Sequence, residues 1–149
     1  MSWNIHAGIC PAGRYDLHRV IALVRRHAPD LIALQEAEGR NRHDGEEPFH
    51  LLREALGGQA VEAATMREAG GCYGHMLISR LPLRDAAVHD ASLPGREPRA
   101  VISAVLDLAG GTPAPVTEAV READLPQPAT IVLRRARITR DRPARLLDL

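Results

Sequence analysis

Residues 30–36 read DLIALQE. Asp30 opens the run, Leu31 to Leu34 are apolar, and the polar pair Gln35-Glu36 closes it. An apolar run this short, bounded by polar residues, suits a strand buried on both faces, as in a parallel sheet or a sandwich core. The residues before it support that reading. Leu17, Val20, Ile21 and Val24 recur at helical spacing behind Asp16, a plausible N-cap, and the pattern ends near His27 before Pro29. Further back, residues 1–5 (MSWNI) read as a strand and 6–14 as a loop punctuated by Gly8, Pro11 and Gly13. The order is strand, helix, strand. A first strand that opens at Met1 has almost no length, so either it is short or the chain starts late.

Beyond Glu36 the pattern continues in both helix and strand periods. Residues 39–47 form a charged loop. Phe49, Leu52 and Leu56 mark a second helix closed by Gly57-Gly58. Residues 59–65 and 72–80 read as strands, 84–90 as an antiparallel return strand, 93–99 (LPGREPR) as a loop, and 100–108 (AVISAVLDL) as a strand. This is an α/β domain with a mixed sheet. Past Gly111 the character changes. Pro113, Pro115, Pro126 and Pro128 interrupt a stretch of little periodicity, and 129–133 is one apolar strand. Six arginines then fall between 134 and 145 against one aspartate.

Bulk properties bound the function. With 149 residues the chain suits one domain. Its formal charge is zero, so no global field draws it to nucleic acid or membrane. All 19 basic residues are arginine, a side chain suited to bidentate phosphate contacts. Aromatics are scarce and none follows Tyr73, so the second half packs with aliphatic residues. Two cysteines, Cys10 and Cys72, make neither a disulfide framework nor a zinc site. The sequence shows no signal-peptide pattern and no apolar stretch of membrane-spanning length, which points to a cytoplasmic protein without a membrane role.

The candidate chemistry lies at strand ends. Magnesium takes hard oxygen donors and keeps several waters for itself and a substrate. The first strand ends at Asn4 and the next at Glu36. In neighbouring strands these two oxygen-bearing side chains would share a sheet edge, where ligand sites of α/β sheets lie. The order of SWNIH (2–6), PDLIALQE (29–36), YGHMLISRLPL (73–83) and GREPRAV (95–101) resembles the endonuclease/exonuclease/phosphatase family, metal-dependent phosphohydrolases of DNase-I-like fold. The resemblance spans about Ser2 to Leu108. It implies a partial DNase-I-like α/β sandwich, its mixed β-sheet flanked by helices and its second half incomplete. It also implies that Asn4 is a ligand or orienter of metal and phosphate and Glu36 the main carboxylate ligand of a catalytic magnesium (or manganese). Arg99, and after it Arg96, would stand near the substrate phosphate. Water would attack a phosphoester in line.

The same resemblance exposes departures. The family's later THL-like histidine, GDFN-like Asp-Asn pair and SDH-like Asp-His pair are not found. The last histidine is His89 and no asparagine follows Asn41. PATIVL (128–133) resembles the strand leading to GDFN, but RRARIT (134–139) stands in its place. Residues 1–111 therefore read as the N-terminal part of the family's domain. Residues 112–149 read as a divergent Pro/Arg-rich tail, with a shifted reading frame after Gly111 as one origin. Two functions are consistent with this: a metal-dependent phosphoester hydrolase of nuclease or phosphatase type, or a catalytically incompetent fragment or degenerate member. A third reading, nucleic-acid binding by the arginine tail, lacks the aromatics that stack bases. The expected partner is a phosphoester substrate, nucleic acid among the classes, with no obligate protein partner evident. His6 and His75 read as hydrogen-bonded structural histidines, and His89 has no surroundings that suit a general base.

Overall fold

The computed structural model describes residues 1–40, 47–107, 113–119 and 130–133. The arginine-rich residues 134–149 and the middle of the charged loop, 41–46, lie outside the described residues.

The chain begins with β1 (Ser2–Asn4), a single turn of 3₁₀ helix (His6–Gly8) and α1 (Leu17–His27). Asp16 caps α1 by accepting from the Arg19 N–H at 2.9 Å. Leu17, Val20, Ile21 and Val24, the four apolar positions of the helical spacing, are its buried stripe. Asp16→Ala should lower stability by about 1 kcal/mol in chemical denaturation, because one helical N–H donor loses its acceptor. The helix ends at Ala28, whose φ of 45° is left-handed, and Pro29 prevents continuation.

β2 (Leu31–Glu38) follows and pairs parallel with β1, Ser2 opposite Ala33 and Asn4 opposite Gln35. α2 (Pro48–Leu56) has Pro48 in its first turn, where a missing N–H costs nothing, and Glu47 as its cap. β3 (Gln59–Glu68) and β4 (Gly71–Ser79) form an antiparallel pair, and β4 lies between β2 and β3. The first sheet has the order β1-β2-β4-β3 and is mixed. Gly74 sits where β3 and β4 run very close. A Cβ there would stand 2.0 Å from the Ala63 carbonyl oxygen.

β5 (Leu83–Asp90), β6 (Ala100–Asp107), β7 (Pro113–Ala119) and β8 (Thr130–Leu133) form a second, antiparallel sheet in that order. β7 corrects the sequence reading, in which Pro113 and Pro115 broke regular structure. β7 pairs with β6 from Pro113 to Ala119 but with β8 only from Val116 to Ala119. The two prolines share strand parity, so their missing donors fall on one side of β7, in the half that β8 does not reach.

The layers are helices, first sheet, second sheet. α1 and α2 cover one face of the first sheet, with Leu34, Met76, Ile78, Phe49 and Leu52 in that core. The other face packs on the second sheet through Ala33, Ala63 and Leu77 against Ile102, Ala104 and Leu106. The first sheet contributes mostly small side chains here and the second mostly branched ones, as sheets about 10 Å apart require. DLIALQE is thus a strand buried on both faces, as expected from its unbroken apolar run.

The ladder between β2 and β4 has one irregularity. Leu34 pairs with Met76 and Ala37 with Gly74, which leaves Gln35 and Glu36 together opposite His75. That two-against-one arrangement is a β-bulge.

Candidate functional site

Strand directions gather the candidate residues at one end of the sandwich. β1 and β2 run parallel and end there, at Asn4 and Glu38; β4 begins there, at Gly71. β5 ends there at Asp90, opposite Ala100 where β6 begins. The loop between β5 and β6, with Arg96 and Arg99, therefore caps the second sheet at the same end.

The bulge aims Glu36. Its φ is 57°, a left-handed value that a glycine would adopt without strain. Its carboxylate is about one-third exposed. Asn4 Nδ2 donates to Glu36 Oε1 at 2.6 Å. The amide cannot be reversed, because Asn4 Oδ1 accepts from the His6 backbone N–H at 2.9 Å and only an oxygen can do so. Asn4 therefore orients Glu36 with its nitrogen and ties down the following turn with its oxygen. His6 Nδ1 stands 3.5 Å from Glu36 Oε2, and the imidazole is 78% exposed. His6 and Ala7 are left-handed as well, with φ of 49° and 55°. Three strained non-glycine residues around one carboxylate are a usual mark of a functional site.

Two residues further along β2, Glu38 is buried and holds Arg40. The guanidinium reaches Glu38 Oε2 at 2.6 Å through Nη2 and Glu38 Oε1 at 3.0 Å through Nε. Arg40 Nη1 also donates to Glu68 Oε1 at 3.3 Å. The guanidinium carbon lies 4.8 Å from the centre of the Tyr73 ring, within cation–π range. Gly71 allows this approach, since a Cβ there would stand 2.0 Å from the Gly39 carbonyl oxygen. Burial, then the charges of Glu36, Glu97 and Glu38, push the Tyr73 phenol up to about 12. The phenol thus feels carboxylates from β2 and from the Arg99 loop together.

That loop is closed at its neck. Ser92 Oγ accepts from the Arg99 N–H at 3.0 Å and donates to the Arg99 carbonyl at 3.3 Å, and Ala91 N–H donates to the same carbonyl at 3.0 Å. Arg99 Nε is buried with no hydrogen-bond partner among the described residues. Its Nη2 stands 3.6 Å from Glu97 Oε2. Asp107, at the other end of β6, pairs with Arg84.

The structure thus brings Asn4 and Glu36 into direct contact and puts Arg99 at the same end of the sandwich. His75 is buried opposite the bulge, but its Nε2 has no hydrogen-bond partner among the described residues, contrary to the expected bonded histidine. His89 Nε2 is 2.7 Å from Ser103 Oγ, on the second sheet. Sequence reasoning passes over Tyr73 and the Glu38–Arg40 pair. The one available signal is that Glu36 and Glu38 are two apart, which would put them on one face of a regular strand.

The donors suit a hard cation that keeps most of its waters. Glu36 offers one carboxylate, and one or two are enough for magnesium. Among the described residues no group of three or more His, Cys, Asp and Glu side chains converges as a metal cage. No described helix is long and apolar enough to cross a membrane.

Comparison with known proteins yields two kinds of likeness. Short stretches resemble the phenylalanine–tRNA ligase β subunits of Xanthomonas oryzae pv. oryzae (strain MAFF 311018), 53% identical over 51 residues, and of Xanthomonas campestris pv. campestris (strain 8004), 54% identical over 50. These cover 34% and 32% of the chain, which spans only 6% of either relative's length. Among solved structures, an endonuclease/exonuclease/phosphatase family protein from Leptotrichia buccalis C-1013-b superposes with a TM-score of 0.51 at 15% identity. The match covers 73% of this chain and 49% of that one, and it shows a shared DNase-I-like fold. The family model described as Endonuclease/Exonuclease/phosphatase family matches residues 1–147. With nearly its whole length matched and its strand ends gathered at one edge, the chain belongs to the endonuclease/exonuclease/phosphatase family.

Proposed function

We propose that this chain is a divalent-metal-dependent phosphoester hydrolase, of nuclease or phosphatase type, working at the end of the sandwich where β1 and β2 finish. Family membership suggests phosphoester hydrolysis. The observation that carries the finer reading is the 2.6 Å contact between Asn4 and Glu36 at adjacent strand ends.

Glu36 would hold the cation, magnesium or manganese, through the carboxylate edge left free by Asn4 and His6. Asn4 keeps that carboxylate in one rotamer, so a bound ion would find its ligand already placed. Arg99 would meet the substrate phosphate with its guanidinium N–H donors, and Arg96 would assist from three residues back in the same loop. When bound, the cation polarises the phosphoryl oxygen and lowers the pKa of an attached water. The substrate class is a phosphoester, with nucleic acid one candidate. Two free cysteines, Cys10 and Cys72, suit a reducing compartment such as the cytoplasm.

A second reading has its own observation. Glu36 stands without a cage of further acids or histidines among the described residues, and the sequence has no histidine after His89. A site that binds a cation and phosphate but lacks a base would be catalytically incompetent, since groups that act as a unit lose activity together. The test is hydrolysis of bis(4-nitrophenyl) phosphate by the full chain, alongside magnesium binding by calorimetry. Turnover that stops with EDTA and returns with magnesium supports the hydrolase. Absence of turnover, with or without magnesium binding, supports the incompetent member, and no magnesium binding removes the cation site at Glu36.

A further inference from the structure

Tyr73 lies on β4 directly across from Glu38, on the face of the first sheet that looks toward the second. Its backbone carbonyl is fixed by the Thr65 hydroxyl at 3.3 Å. Its ring is backed by Arg40, which three oxygen contacts to Glu38 and one to Glu68 hold in place. The ring therefore has little rotameric freedom. Its hydroxyl, by contrast, makes no hydrogen bond among the described residues, although Glu36 and Glu97 both bear on it electrostatically. A ring backed by Arg40, with an unused O–H that feels the charges of both Glu36 and Glu97, is organised for something that arrives from outside.

The geometry points to Tyr73 as a substrate-contacting residue, whose phenol O–H donates to a phosphoryl oxygen of the ester bound beside Glu36. This assignment rests on the reading of Glu36 as the cation ligand. The field at the phenol is set by carboxylates. Glu36, Glu38 and Glu97 all bear on the phenol, and the Arg40 charge is engaged by Glu38 and Glu68. In that negative field the ester's charge is met by the cation at Glu36 and by Arg99, and the neutral phenol adds a hydrogen bond without adding charge. A phenol shifted up to about 12 keeps its proton across the working pH range, so it is available as a hydrogen-bond donor.

Tyr73→Phe in the full chain tests this, because phenylalanine keeps the ring against Arg40 and removes only the hydroxyl. Magnesium binding, and inorganic phosphate binding to the magnesium-saturated protein, are measured by calorimetry. Magnesium affinity should be unchanged and phosphate affinity should fall about tenfold, the usual cost of one hydrogen bond to a charged acceptor. Tyr15 and Tyr73 are the only tyrosines, so ¹³Cζ labelling gives a second readout. The Tyr73 resonance should move when phosphate is added, and the Tyr15 resonance should not. Equal phosphate affinity in Tyr73→Phe, with binding lost in Glu36→Gln, would overturn the Tyr73 contact and leave the Glu36 reading standing. A wild-type protein that binds no magnesium would overturn both.

Discussion

Glycine in place of Glu36 is expected to abolish magnesium-dependent phosphoester turnover and yet to leave the fold about 1 kcal/mol more stable than alanine at the same position. The two halves of this result have separate causes. Turnover falls by about three orders of magnitude or more because the proposed site has one carboxylate to offer a cation, and a transition-state charge left without its partner costs on that scale. Stability responds to the backbone instead. Residue 36 sits at a φ of 57°, where any Cβ crowds the following carbonyl, at about 1–2 kcal/mol. Alanine removes the carboxylate and the Asn4 contact but keeps the crowding. Glycine removes the crowding too, and part of that relief is offset by the greater freedom glycine has in the unfolded chain. Chemical denaturation of the two variants, with turnover measured on each, checks both statements. Equal stabilities would mean that the bulge carries no strain at this residue.

Acid should unfold the protein through His75. The side chain is 2% exposed, and burial alone lowers its pKa to about 4 from an ordinary 6.5. Above pH 6.5 the imidazole is neutral in both states and contributes no slope. Between 6.5 and about 4 the unfolded chain takes up a proton that the native chain refuses. Stability then falls by roughly 1.4 kcal/mol per pH unit, or about 3 kcal/mol over the window. Below about 4 both states carry the proton and this contribution levels off. Denaturation midpoints from pH 7.5 to 4 in the wild type and in His75→Leu separate this residue from the carboxylates. The variant should lose the extra slope between 6.5 and 4. It should cost little at neutral pH, because the replaced Nε2 had no hydrogen bond among the described residues to give up. Parallel pH profiles would show that His75 is not the group that titrates.

The fold is legible where composition and spacing agree. DLIALQE and AVISAVLDL are strands because their apolar runs are of strand length, and both are buried at alternating or successive positions. Asp16 and the four residues from Leu17 to Val24 announce α1 in the same way. Pro113 and Pro115 hide β7, since a proline reads as a breaker until it is known which side of the strand lacks a neighbour. At the site, Asn4 and Glu36 are found through motif resemblance. The bulge that turns Glu36 outward is not legible. Gly usually marks a left-handed bulge residue, and here Glu36, His6 and Ala7 hold such angles themselves. Tyr73 and Arg40 escape notice for a related reason. Their stacking depends on Gly71 and Gly39 passing within a Cβ's breadth of each other, a contact between distant stretches of chain.

The two-against-one pairing opposite His75 also separates what the interior needs from what the rim needs. Leu34 before it and Ala37 after it both face the helical layer. Strip out one codon, that of Gln35, and the ladder closes one to one with Leu34 and Ala37 still in phase. The shortened protein should keep its helical core in register, but at the cost of a buried carboxylate and of the Gln35 bond to Ser2 on β1. Its glutamate, however, would swing inward beside the imidazole on β4, between the two sheets and away from any incoming ion. The surplus residue in β2 is thus a spacer that the register of the helical core can spare and the proposed chemistry cannot.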